Sequence, residues 1–465
     1  MQRLFKNLSA NSLGVIISLV GQVFALPLFL HLWSKPLYGE WLVLTTVPNL
    51  LPALEGGLGG IASSRMTLAS ARHDWEEVNS IFHTTLLGQI CISAFIVVAT
   101  LIGVYLGDVR AFFGFIQLSS GDTRIIFALM VCYTLGGLWL SLYRAPYRCS
   151  ELEARGSMVV NFWRISDFII TVVVLVLHGR PVFLAECLLA GVLVWTVIGF
   201  RDVTRKCSRV RFAFSGVSWK RFREMVVDGL PMLASQAATA FYMQGYPLAV
   251  NRALGSSAVV TLTTIRVLCR PSLLAVQTMA WSCSPLLSRS YGAGDWTKYY
   301  RLLRIMIATS LWAGTAGLIG LTLVGPWLLN LWTSGKVRSD HLTLFLFALS
   351  ISLQGVWACV SSTLSSSRRH HEFNYIYGLG TLVALCVVPW LMPLLGFKAV
   401  PMVMVAADLC FVIAGLLLSR KKLTNFRFDE LTPVLSFSFY KKESSFVWNR
   451  FMTGPAARIQ EKTVG

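Results

Sequence analysis

Two arginines one helical turn apart, Arg266 and Arg270, stand in "TTIRVLCRPSL" (263–273), a stretch whose other residues suit lipid. At i and i+4 they share one helix face, and the planar guanidinium fork matches the oxygens of a phosphate. Pro271 follows directly, bending the helix and freeing a backbone carbonyl. A cation deep in a bilayer is costly unless it faces protein or water. The pair therefore signals one of two arrangements: an aqueous cavity for an anionic ligand, or ion pairs with buried carboxylates.

The carboxylates in question are Glu55, just before "GGLGG", and Asp408. Each could serve as counterion or as an ion-coupling group. Polar side chains that could complete a cavity are Gln22, His31, Asn49, Gln236, Gln244, Gln277 and Gln354. Amides suit sugar hydroxyls, and they also hydrogen-bond between packed helices. The remaining charges in apolar surroundings have plainer readings: Arg164 and Asp167 are spaced to pair along one helix, and Asp228 and Glu186 lie near span ends.

These residues need elements to hold them, and the composition says which. Of 465 residues, 55% are hydrophobic and only 14% charged, against roughly 25% charged in soluble domains. Apolar runs of about 20 residues, enough to cross a hydrocarbon core of about 30 Å, recur along the chain. Twelve spans are expected, at 13–33, 40–61, 81–106, 124–145, 159–178, 182–200, 228–249, 257–280, 304–328, 342–364, 375–395 and 399–419. At about 1.5 Å per residue, Arg266 and Arg270 lie about 13 and 20 Å below one end of the eighth.

Lysines and arginines crowd into the 201–224 loop and the tail from Arg420, whereas the opposite loops carry only Lys35, Arg110, Arg180, Arg252, Lys336, Arg338 and Lys398. By the positive-inside rule both termini are cytoplasmic. No cleavable secretory signal is expected at the N-terminus. The basic loop divides the spans evenly, giving an N-terminal lobe 1–200, a linker 201–227, a C-terminal lobe 228–419 and a basic, aromatic cytoplasmic tail 420–465 that suits an anionic leaflet. The halves echo each other. Asp74-Trp75 corresponds to Asp295-Trp296, and Arg155 and Asn161 correspond to Arg368 and Asn374. Six spans per half make the repeat parallel, the arrangement that encloses a central cavity.

Several chemistries are disfavoured. The net charge of +19 follows topology, so no nucleic-acid partner is expected. There is no P-loop. The ten cysteines are scattered without paired spacing, and His370-His371 lacks further ligands, so neither metal nor cofactor is expected. A membrane glycosyltransferase or polymerase would want acid–base groups on a large outside loop. The longest, 107–123, offers Asp108, Arg110 and Asp122, and the chain is read as a non-enzyme.

Five segments carry a family resemblance: "LPLFLHLWSKPLYGEW" (26–41), "LEGGLGGIASSR" (54–65), "EARGSMVVN" (153–161), "LPMLASQ" (230–236) and "NRALGSSAVVTL" (251–262). In order and spacing the chain resembles the polysaccharide-unit (O-antigen, Wzx-type) flippases of the multidrug/oligosaccharidyl-lipid/polysaccharide flippase superfamily. Glu55 departs from the Asp more usual there.

The resemblance implies an all-α integral membrane fold of twelve helices in two six-helix lobes around a central cavity. It implies alternating access, residence in a bacterial inner membrane, and an undecaprenyl-pyrophosphate-linked oligosaccharide as cargo. Membrane lipids and other polysaccharide assembly proteins are its further implied partners. Arg266 and Arg270 would then meet the diphosphate. The alternatives are a multidrug exporter of the same superfamily, or the polymerase or glycosyltransferase already weighed.

Overall fold

The computed structural model describes residues 2–366 and 371–422, without the side chains of 2–8, 54–58, 231–232, 275, 278–279, 281–282, 285 and 422. Every described element is helical: α1 (Gln2–Leu32), α2 (Lys35–Thr46), a 3-10 turn (Pro48–Leu50), α3 (Pro52–Ala71), α4 (Trp75–Leu106), α5 (Val109–Phe113), α6 (Ser120–Leu142), α7 (Arg144–Cys149), α8 (Glu153–Val176), α9 (Pro181–Lys206), α10 (Trp219–Leu254), α11 (Ser256–Gly292), α12 (Trp296–Leu323), α13 (Gly325–Trp332), α14 (His341–Ser366), α15 (His371–Leu395), a 3-10 turn (Gly396–Lys398) and α16 (Ala399–Lys422). Each expected span falls on helix. The second is broken into α2 and α3 because Pro48 and Pro52 cannot donate the hydrogen bonds that continuity needs. Nine helical runs among the described residues are long and apolar enough to cross a membrane, which makes this a multi-pass membrane protein.

The described chain forms two compact units. Of the described residues, one unit comprises 2–270, 321–347 and 374–407; the other comprises 271–320, 348–366, 371–373 and 408–422. The boundary passes through the middle of α11 at Pro271, immediately after the second arginine of the opening motif.

Within the first unit α1 packs on α8, α3 on α10, and α6 on α9. Small residues permit the close approaches: a Cβ on Gly39 would stand 2.1 Å from the Ser256 carbonyl oxygen, and one on Gly136 2.9 Å from Val192. Proline bends in the helices are patched by side chains. Pro27 deprives the Val23 carbonyl of its helical partner, and the Trp332 indole Nε1 donates to it at 3.0 Å.

Glu40 joins α2 to the connection after α5. Its side chain is buried, and its two carboxylate oxygens accept the consecutive backbone N–H groups of Ile116 (2.7 Å), Gln117 (2.8 Å) and Leu118 (2.8 Å). Three donors aimed at one anion satisfy a charge that burial alone would penalise.

The second unit is built on its own core, where Val276, Leu287, Tyr299, Leu303, Met306 and Cys359 pack together. The Asp-Trp echo between the halves is reproduced as local geometry. His73 (φ 60°) and Gly294 (φ 68°) are both left-handed, the following Asp accepts from the N–H three residues on (Glu77 at 2.9 Å, Lys298 at 3.0 Å), and Trp75 and Trp296 open their helices. Both aspartates also donate their own N–H to the carbonyl five residues back, Ala69 at 3.1 Å and Ser290 at 3.0 Å. The repeated dipeptide is a helix cap.

Candidate functional site

Arg266 and Arg270 are half-buried in the first unit, and they make different contacts. Arg266 Nη1 donates to the Met243 carbonyl at 2.7 Å and Nη2 to the Tyr242 carbonyl at 3.2 Å, with the guanidinium carbon 5.5 Å from the Tyr246 ring centre. Met243 lies four residues before Pro247, which has no N–H to offer it. The arginine thus supplies the donor that the proline removes, and it stacks on the neighbouring aromatic face.

Arg270 reaches another helix. Its Nη1 donates to the Gln22 side-chain oxygen on α1, so two residues expected to line one cavity touch across 248 positions of sequence. Arg164 on α8 also meets α1: its Nη1 donates to the Gly14 carbonyl at 3.3 Å. The expected pairing of Arg164 with Asp167 does not form among the described residues. Tyr133 instead donates its hydroxyl to Asp167 at 2.5 Å. An i+3 spacing permits a contact, and here the competing partners on α1 and α6 are better placed.

The other expected cavity residues divide. Gln244 is half-buried on α10, whereas His31, Asn49 and Gln236 are exposed. The Glu55 side chain lies outside the described residues, as do Arg368, Arg369, His370 and the 423–465 segment.

In the second unit Asp408 is fully buried. Ser350 Oγ donates to its Oδ2 at 2.5 Å and Trp357 Nε1 to its Oδ1 at 3.2 Å, while Gln354 Nε2 donates to Ser350 Oγ at 3.4 Å. Gln354 and Asp408, both singled out in the sequence, therefore belong to one hydrogen-bonded cluster. Gln277 is half-buried in the same unit.

Sequence reading missed several polar groups. Glu40 lies inside a quoted motif without having been read as a buried charge. Asp202 accepts from Arg155 through Nε (2.8 Å) and Nη2 (2.7 Å) and from the Tyr147 hydroxyl (2.5 Å), tying α7, α8 and α9 together. Near the start of α10, Arg65 pairs with Asp228, and its Nη1 is 3.8 Å from Glu224. The spacing of Met243 and Pro247 was the available signal for the role of Arg266.

Neither a family model nor a curated protein sequence matches the chain. Solved structures do. A multidrug resistance MATE family transporter of the MOP superfamily, in an inward-facing conformation, superposes with a TM-score of 0.70 at 15% identity, over 91% of this chain and 94% of that one. A MOP superfamily transporter from Pyrococcus furiosus, described as having a binding pocket of reverse polarity that suggests a different function, gives 0.63 at 15% identity over 93% and 96%. The lipid II flippase MurJ in an inward closed conformation gives 0.65 at 13% identity over 91% and 89%. The chain has the all-helical fold that MATE transporters share with the MurJ lipid II flippase.

Proposed function

We propose that the chain translocates a polyprenyl-diphosphate-linked oligosaccharide, the undecaprenyl-pyrophosphate-linked repeat unit of O-antigen or a similar surface polysaccharide, across a bacterial inner membrane. The observation that carries this reading is the contact between Arg270 and Gln22 inside the apolar helices. A cation beside an amide among apolar helices is the pairing a diphosphate joined to a sugar would need. Among the described residues Arg270 has Gln22 as its hydrogen-bond partner, which leaves its other N–H donors for an incoming oxyanion. Arg266 supports the same face by holding α10 at its proline, and its charge adds to the local positive potential.

In this reading the lobes 1–200 and 228–419 rock about the bound headgroup and expose it to one side and then the other, while the lipid tail stays in the bilayer. The Lys and Arg distribution supports cytoplasmic termini. The fold shared with a lipid II flippase supports a lipid-linked cargo.

A second reading, export of organic cations, draws on the buried Asp408 carboxylate and on the MATE fold. Deletion and complementation separate the two. Cells lacking the chain should lose surface polysaccharide and accumulate the lipid-linked repeat unit on the cytoplasmic face. Normal polysaccharide with heightened sensitivity to cationic drugs would establish the exporter instead, and accumulation of single exported units would indicate a polymerase.

A further inference from the structure

Alongside one half of α4 the first unit holds a cavity of about 1190 Å³, larger than the roughly 300–1,000 Å³ of drug-sized sites. Its wall runs along α4 from Phe95 to Gly107, about 18 Å at 1.5 Å per residue, a little more than the roughly 15 Å of hydrocarbon in one leaflet. Apolar groups such as Ile96, Phe127 and Leu248 line it. Phe95 and Phe112 on its border are each 73% exposed, so the groove opens sideways toward where lipid would lie.

Charge appears only at the end where α4 stops. Asp108 and Arg252 both line the cavity there, both are exposed, and no ion pair joins them among the described residues. Asp108 caps α5 by accepting the Ala111 N–H at 3.2 Å through one oxygen, which leaves the other free. Arg252 makes no hydrogen bond or ion pair with any described residue. Its neighbour Asn251 is buried and donates Nδ2 to the Phe113 carbonyl at 2.7 Å, which fixes this end of α10 against α5. A separated cation and anion at the mouth of a leaflet-deep apolar groove match the phosphate and ammonium of a zwitterionic headgroup.

We propose that this groove binds one phospholipid with an ammonium headgroup: an acyl chain along α4, the phosphate at Arg252 and the ammonium at Asp108. This lipid is distinct from any transported cargo and does not depend on the proposed function. Gly103 offers the means of closing the site, because a Cβ built there meets nothing within 4 Å. A large side chain at that position can fill the groove without displacing backbone.

The test is native mass spectrometry of the delipidated full chain in detergent, titrated with phosphatidylethanolamine or phosphatidylglycerol. One phosphatidylethanolamine should be retained, preferred by about 5-fold over phosphatidylglycerol, the scale of a single exposed charge contact. Gly103→Phe should abolish retention. Asp108→Asn, which keeps a side-chain cap for α5, should lose the preference or turn it toward phosphatidylglycerol, and Arg252→Gln should weaken both lipids. Equal retention of the two lipids by the wild-type chain, or a preference unchanged in Asp108→Asn, would overturn the proposal. So would retention unchanged in Gly103→Phe.

Discussion

Arg266 donates to the Met243 carbonyl at 2.7 Å, the backbone oxygen that Pro247 leaves without a helical partner. Of the two arginines that stand out in the sequence, one is therefore partly occupied in completing a bent helix, and the other is turned toward α1 and Gln22.

The pairing of Arg266 with the proline bend predicts an energetic coupling. Arg266→Ala should lower stability by about 1–3 kcal/mol, the cost of leaving a buried acceptor unpaired. Pro247→Ala restores an N–H at the right register. The double variant should recover about 1 kcal/mol relative to the sum of the single changes. Thermal unfolding of the four proteins in detergent checks this; strict additivity would mean that the carbonyl does not need the arginine.

Glu40 predicts a larger effect from a residue far from both arginines. Glu40→Ala takes the acceptor from three N–H groups, of which that of Leu118 belongs to a buried residue, and should cost about 3 kcal/mol, given roughly 1.5–3 kcal/mol for a hydrogen bond to a charged group. Glu40→Gln keeps one acceptor oxygen and should cost less. Hydrogen exchange at Ile116, Gln117 and Leu118 should accelerate in both variants, with the alanine change faster.

The Asp340 carboxylate bears on pH. Burial alone would raise its pKa, but the hydrogen bond from Thr343 and the Lys398 ammonium, 3.0 Å away, outweigh that and hold it below its ordinary value. A lowered folded-state pKa contributes stability above the unfolded value, about 3.9, and loses it as pH falls through the lower folded one. Wild type should therefore melt above Asp340→Asn at neutral pH, and the two curves should converge as acidification carries the pH below the ordinary aspartate value and through the lowered folded one.

Much of the architecture was legible in the chain. Apolar runs of membrane length located helix at every expected span, and the shared Asp-Trp dipeptide marked two caps of identical geometry. Contacts that depend on which helices meet were not legible. The Arg164–Asp167 spacing allowed a pair, yet Tyr133 and the Gly14 carbonyl, from α6 and α1, took the two partners. Glu40 gave no periodic signal, because what satisfies it is backbone from a distant connection. The Gln22–Arg270 contact was foreseen only as membership of one polar set, of which His31, Asn49 and Gln236 are exposed.

Asp408 predicts an effect on coupling rather than on folding. Asp408→Asn retains an acceptor for the Trp357 Nε1–H, and its amide can donate to Ser350 Oγ, so the variant should stay folded. If the buried carboxylate carries the coupled proton, the variant reconstituted in vesicles should no longer respond to an imposed pH gradient. A response equal to wild type would assign Asp408 to packing alone.

The proposed transport rests on Arg270 meeting the diphosphate of a lipid-linked glycan. The most direct measurement is the sidedness of the accumulated lipid-linked repeat unit in cells carrying Arg270→Ala, Arg270→Gln or Arg270→Lys at matched membrane abundance. Retention on the cytoplasmic face is expected for Ala and Gln, with partial rescue by Lys, which keeps the charge without the fork. Wild-type export by Arg270→Ala would contradict it.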